Sequence, residues 1–171
     1  FTEEEAQYAM DHVFADWNEI AMNLAQGYAA DHHMSEKAIY NQLVNIDLFT
    51  PEEAQYAVDH TDVYWNEIAL KAAQEYESDY LARNELFRHL YYSSGCQFTE
   101  EQAQYAVDHL DTDWKENALQ AGWYLYGKKN TSQADTYAAL ISYDYGFTEE
   151  EAQYAIDHMD TADWEENALQ T

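Results

Sequence analysis

From Phe49 to His60 the chain reads FTPEEAQYAVDH, and close copies recur as FTEEEAQYAMDH from Phe1, FTEEQAQYAVDH from Phe98 and FTEEEAQYAIDH from Phe147. The copies start 48, 49 and 49 residues apart, a regularity that marks a repeat architecture. Each copy carries its own helix start. Thr2, Thr50, Thr99 and Thr148 stand as N-caps with Glu5, Glu53, Gln102 and Glu151 three residues on, the capping-box spacing in which each partner satisfies the other's orphan amide. Pro51 falls at the first helical position, where its missing N–H costs nothing. Past the cap, Ala54, Ala57, Val58 and Thr61 fall at i, i+3, i+4 and i+7, a narrow small-residue face suited to close packing. Gln55, Tyr56 and Asp59 lie opposite.

Downstream of each copy comes a second block, DWNEIAM, YWNEIAL, DWKENAL or DWEENAL, around Trp17, Trp65, Trp114 and Trp164. Asp16, Asp113 and Asp163 stand three residues before Glu19, Glu116 and Glu166 as caps, whereas Tyr64 breaks the pattern. Trp17, Ile20, Ala21, Leu24, Ala25 and Tyr28 keep helical spacing, so this helix is expected to anchor its unit with a large indole. Trp65, Ala69, Ala72, Ala73 and Tyr76 repeat the arrangement. A looser third block follows as AIYNQL at Ala38, ELFRHL at Glu85 and TYAALI at Thr136, with Ser35 and Ser132 as caps in two of the three.

The expected fold is therefore all-α: a tandem array of three-helix, helix–turn–helix repeats of about 49 residues, whose stability sums over units and their interfaces. The expected boundaries are a partial repeat at 1–16, three units at 17–64, 65–113 and 114–163, and a partial repeat at 164–171. Core-type residues at the two ends, Ala6, Ala9 and Met10 on one side and Trp164, Ala168 and Leu169 on the other, predict a continuing parent polypeptide or head-to-tail association. The start at Phe1 without a methionine also suggests a piece of a longer polypeptide.

Composition narrows the function classes. Thirty-four acidic residues face seven basic ones, for a formal net charge of -27. Lys37, Lys71, Arg83, Arg88, Lys115, Lys128 and Lys129 form no dense stripe, which argues against nucleic acid and against anionic membrane surfaces. Basic partners or cations are favoured instead. Cys96 is the only cysteine, so no internal disulfide is possible and thiolate-rich zinc sites are ruled out. The surrounding SSGC lacks the basic start and apolar run of a lipoprotein signal.

The combination of FT-x-E-x-AQYAVDH with a following DW block and a Ser-initiated middle helix resembles the host cell surface-exposed lipoproteins of Gram-positive bacteria and their phages. The resemblance is close in the AQYA and DW blocks and weak in the middle helix. It implies compact helix–turn–helix units held outside the membrane by a lipidated cysteine, here through an anchor absent from this chain. It also implies, for phage-borne members, superinfection exclusion through contact with a tape-measure protein of the incoming phage.

His12, His60, His109 and His158 each end an FT helix directly after an Asp, a place where the helix dipole favours histidine; metal ligation would need ligands converging from several elements. The DTD and DTAD strings lack the glycine and oxygen spacing of a calcium loop and read as helix caps. No nucleophile constellation or phosphate loop stands out, so neither an enzyme nor a cofactor is expected. Two readings of function remain. In the first, Glu52, Glu53, Tyr56 and Asp59, with Glu100, Glu101, Tyr105 and Asp108 one repeat later, present an acidic and aromatic surface to a basic protein segment. In the second, the array is a structural spacer or self-associating stalk on the cell surface, and its acids only keep it soluble.

Overall fold

The computed structural model of the chain describes residues 2–5, 8, 15–92, 96–129 and 131–159, the side chains at 128 and 129 excepted. His12, Asp163, Trp164 and Glu166, and the end residues Ala6, Ala9, Met10, Ala168 and Leu169, lie outside the described residues. Regular structure among the described residues is entirely helical, and no described helix is long and apolar enough to cross a membrane. The chain divides between Val63 and Tyr64 into two compact units. The first holds α1 (Trp17–His32), α2 (Glu36–Asn45) and α3 (Pro51–His60). The second holds α4 (Trp65–Gln74), a 3-10 turn (Glu77–Asp79), α5 (Arg83–Tyr92), α6 (Glu100–His109), α7 (Trp114–Lys129), α8 (Gln133–Leu140) and α9 (Glu149–His158).

One packing scheme recurs in each repeat. The Trp helix lies mainly against the FT helix, α1 on α3, α4 on α6 and α7 on α9, and the middle helix closes the open side. The inward faces are small: Ala21, Ala25 and Ala29 on α1, with Ala54, Ala57 and Val58 on α3, are at most 4% exposed. In the second unit Ala69, Ala72 and Ala73 are buried on α4, and Ala103, Ala106 and Val107 on α6. Alanine faces let two helix backbones approach closely, at the cost of leaving no bulky group to fill gaps. Gly122 carries this furthest, since a Cβ there would meet the Met159 sulfur at 3.0 Å and the Ala155 methyl at 3.8 Å. Most of the larger buried side chains come from the middle helices and the turns, Ile39 and Leu43, Leu86 and Leu90, then Leu140, with Phe98 and Phe147 at the turns into the FT helices; Ile68 and Leu125 on the Trp helices and Ile156 on α9 add to them.

The indoles depart from the expectation that they anchor the units. Trp17 is 38% exposed, as is Leu24, with Ile20 at 37%, while Trp65 and Trp114 are only partly buried. Trp is the first residue of its helix in each unit, and an alanine face has no room for an indole. The rings therefore sit at the flank, Trp17 edge-on to Phe49 with centroids 6.5 Å apart and Trp114 under the Arg83 guanidinium at 4.9 Å.

The start signals hold as read. Thr50, Thr99 and Thr148 each close a full capping box, and the Thr2–Glu5 pair makes the same two hydrogen bonds. Asp16 accepts from Asn18 and Glu19, Asp113 accepts from Lys115 and Glu116, and Tyr64 provides no side-chain cap. Ser35 and Ser132 cap the middle helices as expected. The turn into each FT helix has a form that the repeat pattern did not announce. The residue before the Phe is left-handed every time, Leu48 at φ 63°, Gln97 at φ 52° and Gly146 at φ 76°. The Phe N–H then donates to a carbonyl near the end of the middle helix, Leu43, Leu90 or Leu140.

Candidate functional site

The outward face of each FT helix follows from its buried face. With Ala54, Ala57 and Val58 turned inward, Gln55, Tyr56, Asp59 and His60 are left facing solvent. Residues four apart on a helix are neighbours, and here they pair. Gln55 Nε2 donates to Asp59 Oδ1 at 2.8 Å, and Gln153 does the same to Asp157. Tyr56 pairs with His60, the imidazole stacked on the phenol ring with centroids 3.9 Å apart and Nδ1 donating to the Tyr56 carbonyl at 2.8 Å. Tyr105 with His109 and Tyr154 with His158 repeat both the stack and the hydrogen bond. These histidines stand at the ends of their helices, as the sequence placed them, and each satisfies a carbonyl in the last turn. Tyr56 and Tyr105 were candidates, but their stacking on the histidines was not anticipated, although its signal is the Y-x-x-x-H spacing present in every copy.

The eight candidate residues fall in two sets of four, each gathered on one helix. On α3, Glu52 and Asp59 are exposed and Tyr56 is 38% exposed, while Glu53 turns back to accept the Thr50 N–H at 2.9 Å. Glu52 and Glu53 open onto a shallow groove of about 750 Å³ shared with Asp16, Trp17 and Asn18. On α6, Glu100, Glu101 and Asp108 are exposed and Tyr105 is half-buried. Asp108 faces Arg83 at 3.6 Å.

Three cations of the second unit, Arg83, Arg88 and Lys115, share one environment. Arg83 lies over Trp114 and faces Asp108. Arg88 lies 4.3 Å over the Tyr143 ring and pairs with Glu85. Lys115 lies 5.8 Å over the Tyr154 ring and meets Glu150 at 2.7 Å. That hydrogen bond raises the Lys115 pKa and lowers the Glu150 pKa, each in the direction of its charged form. In all three cases a cation is held between a ring face and a carboxylate.

The second unit also contains a cleft of about 690 Å³ that the repeat pattern does not disclose. Its walls are Tyr80, Trp123, Tyr124 and Tyr145, its apolar surface includes Ala82, Ala121 and Phe147, and Asp79, Glu85 and Asp144 contribute carboxylates. Ala82, Ala121 and Phe147 belong to the hydrophobic cluster that continues through Ala118, Leu125, Leu140, Ala152 and Ala155. Asn117 Nδ2, donating to the Leu81 carbonyl at 3.0 Å, ties α7 to the chain just before α5. The aromatic pair Trp123–Tyr124 departs from the repeat, since the corresponding places on the earlier Trp helices hold Gln26–Gly27 and Gln74–Glu75. Among the described residues no three His, Cys, Asp or Glu side chains converge as metal ligands.

Three copies of one cap, one alanine interface and one Tyr–His terminus define an all-α protein built as a tandem array of helix–turn–helix repeats. The chain belongs to the host cell surface-exposed lipoprotein family, whose profile matches residues 16–61, 64–110 and 113–159. It is similar to the solved structure of Ltp, described as a superinfection exclusion protein from the Streptococcus thermophilus temperate phage TP-J34, with 28% sequence identity and a TM-score of 0.53. That match covers 57% of this chain and 98% of the other. No curated protein matches the chain.

Proposed function

We propose that this chain is an extracellular, cell-surface protein-binding module that takes part in superinfection exclusion, its acidic and tyrosine-bearing FT helices contacting a basic protein segment. A phage tape-measure protein is the partner we assign. The observation that carries this reading is the outward face itself: Glu52, Tyr56 and Asp59 on α3, and Glu100, Glu101 and Tyr105 on α6, project from helices whose other side is committed to the alanine interface. The net charge of -27 supports it, because such a field steers basic partners inward and repels acidic ones. The described role of Ltp supports it from a second direction.

The test replaces Glu52, Asp59, Glu100 and Asp108 with their amides and measures binding to a recombinant basic tape-measure segment, alongside phage plating on cells that display the chain. Amides preserve helix length and shape, so circular dichroism should not change. Binding to the unaltered chain should fall steeply as salt rises toward about 0.5 M, where exposed charges are strongly screened. Binding that survives both the four amides and high salt would overturn the reading. Concentration-dependent mass in sedimentation, without partner binding, would favour the self-associating stalk.

A further inference from the structure

We infer that the cleft bounded by Tyr80, Trp123, Tyr124 and Tyr145 is a receptor for a single arginine or lysine side chain of the basic partner. This rests on the reading of a basic partner given above and names where one of its cations is held.

Three cations of the second unit are held in the same way. Arg83, Arg88 and Lys115 each lie over an aromatic ring and against a carboxylate, Trp114 with Asp108, Tyr143 with Glu85, and Tyr154 with Glu150. The cleft offers the same two ingredients in larger measure. Tyr80 is 44% exposed and Tyr124 is 56% exposed, so their rings are accessible to an incoming group. Asp79 and Asp144 are exposed carboxylates that no cation of the described residues engages, whereas Glu85 is already held by Arg88 and His89. A volume of about 690 Å³ lies in the range of ligand sites and far exceeds one side chain, leaving room for the flanking backbone of a segment.

Both ends of a long basic side chain find a counterpart there. Its methylene stem would lie on Ala82, Ala121 and Phe147, and its charged head would meet the rings and carboxylates, the division that such side chains adopt at interfaces. A neutral polar side chain would forgo both the ring attraction and the charge pairing. An acidic one would be repelled.

The experiment follows the Trp123 indole N–H resonance of the intact chain, assigned with Trp123→Phe, during titration with Nα-acetyl-arginine methylamide, the lysine counterpart and the neutral citrulline counterpart. A saturable shift with the two cationic compounds and none with citrulline is expected. In Tyr124→Ala/Asp144→Asn, both at exposed positions, the apparent affinity should weaken about tenfold. No saturable shift, an equal response to citrulline, or an unchanged affinity in the double variant would overturn the inference. The same variants are then assayed against the basic tape-measure segment. Segment binding that persists without any response at Trp123 removes the cleft and leaves the proposed function standing. A response at Trp123 with no segment binding removes the partner and leaves the cleft.

Discussion

Replacing Leu140 by alanine would test the claim that the units are held by alanine interfaces locked by a few aliphatic side chains. Leu140 is fully buried in the cluster of Ala118, Ala121, Leu125, Phe147, Ala152 and Ala155, and its Cδ1 lies 3.8 Å from where a Gly122 Cβ would be. The cost of Leu→Ala has two parts, the lost transfer of the removed atoms from water and the cavity left behind. The second part depends on how far the neighbours relax. Most of the neighbours here are alanines, whose methyl groups have no rotamers with which to swing into the void. The cavity should therefore stay nearly open, which places the loss in the upper half of the usual range, about 4–5 kcal/mol. Against a total stability of about 5–15 kcal/mol this would be severe, with an expected fall in Tm of about 8–20 °C. Urea melts followed by circular dichroism and by indole fluorescence would measure it, with the midpoint falling at an unchanged slope. A loss below about 2 kcal/mol would show that the cluster collapses around the missing atoms, and the argument from rigid alanine packing would fail.

Other expected outcomes are smaller and more local. Thr99→Ala, which deletes the acceptor of the Gln102 N–H, should cost about 0.5–2 kcal/mol in the same melts, with Thr50→Ala and Thr148→Ala alike. Leu48, left-handed at φ 63° and 82% exposed, packs little and is strained, so Leu48→Gly should raise stability by about 0.5–1 kcal/mol; a fall would show that its side chain matters. His109→Ala should cost about 0.5–1.5 kcal/mol by removing the donor to the Tyr105 carbonyl, and a neutral result would reduce the stack to ornament. The Tyr76 phenol, 3.6 Å from the Cys96 sulfur, is pushed up to about 12, first by that contact and then by burial. Since the folded value is the raised one, the associated stability is complete below pH about 10 and is lost as pH climbs from there toward 12. Phenolate absorbance should show Cys96→Ala moving this titration back toward the ordinary tyrosine range.

Legibility in the sequence followed the range of the interaction. Capping boxes and inward faces depend on spacings of three and four residues, so Thr99–Gln102 and Ala54–Ala57–Val58 could be read directly. The outward positions of Glu52, Tyr56 and Asp59 were legible for the same reason, as the complement of that face. Trp17 was misjudged because residue type speaks to the gain from burial but not to the space available, and the alanine helices leave an indole no room. The partner of Asp108 on the acidic face was not legible, because Arg83 lies twenty-five residues away in sequence and reaches it only through the packing of the second unit. The cleft was beyond such reading altogether. It joins residues within 78–85, 120–124 and 144–147, which no periodicity links, and its aromatic pair marks a departure from the repeat.

Within an FT helix, the capping-box bonds span three residues and the closing Tyr–His contact spans four, so the caps at both ends of the helix are encoded inside one short stretch of DNA. Unequal crossing-over between two such stretches would deliver a helix already equipped at both ends, and one bearing the same alanine face as its neighbours. An exchange in register between two such stretches would add or remove a Trp helix, a middle helix and an FT helix together, so the number of acidic faces displayed would change in whole repeats.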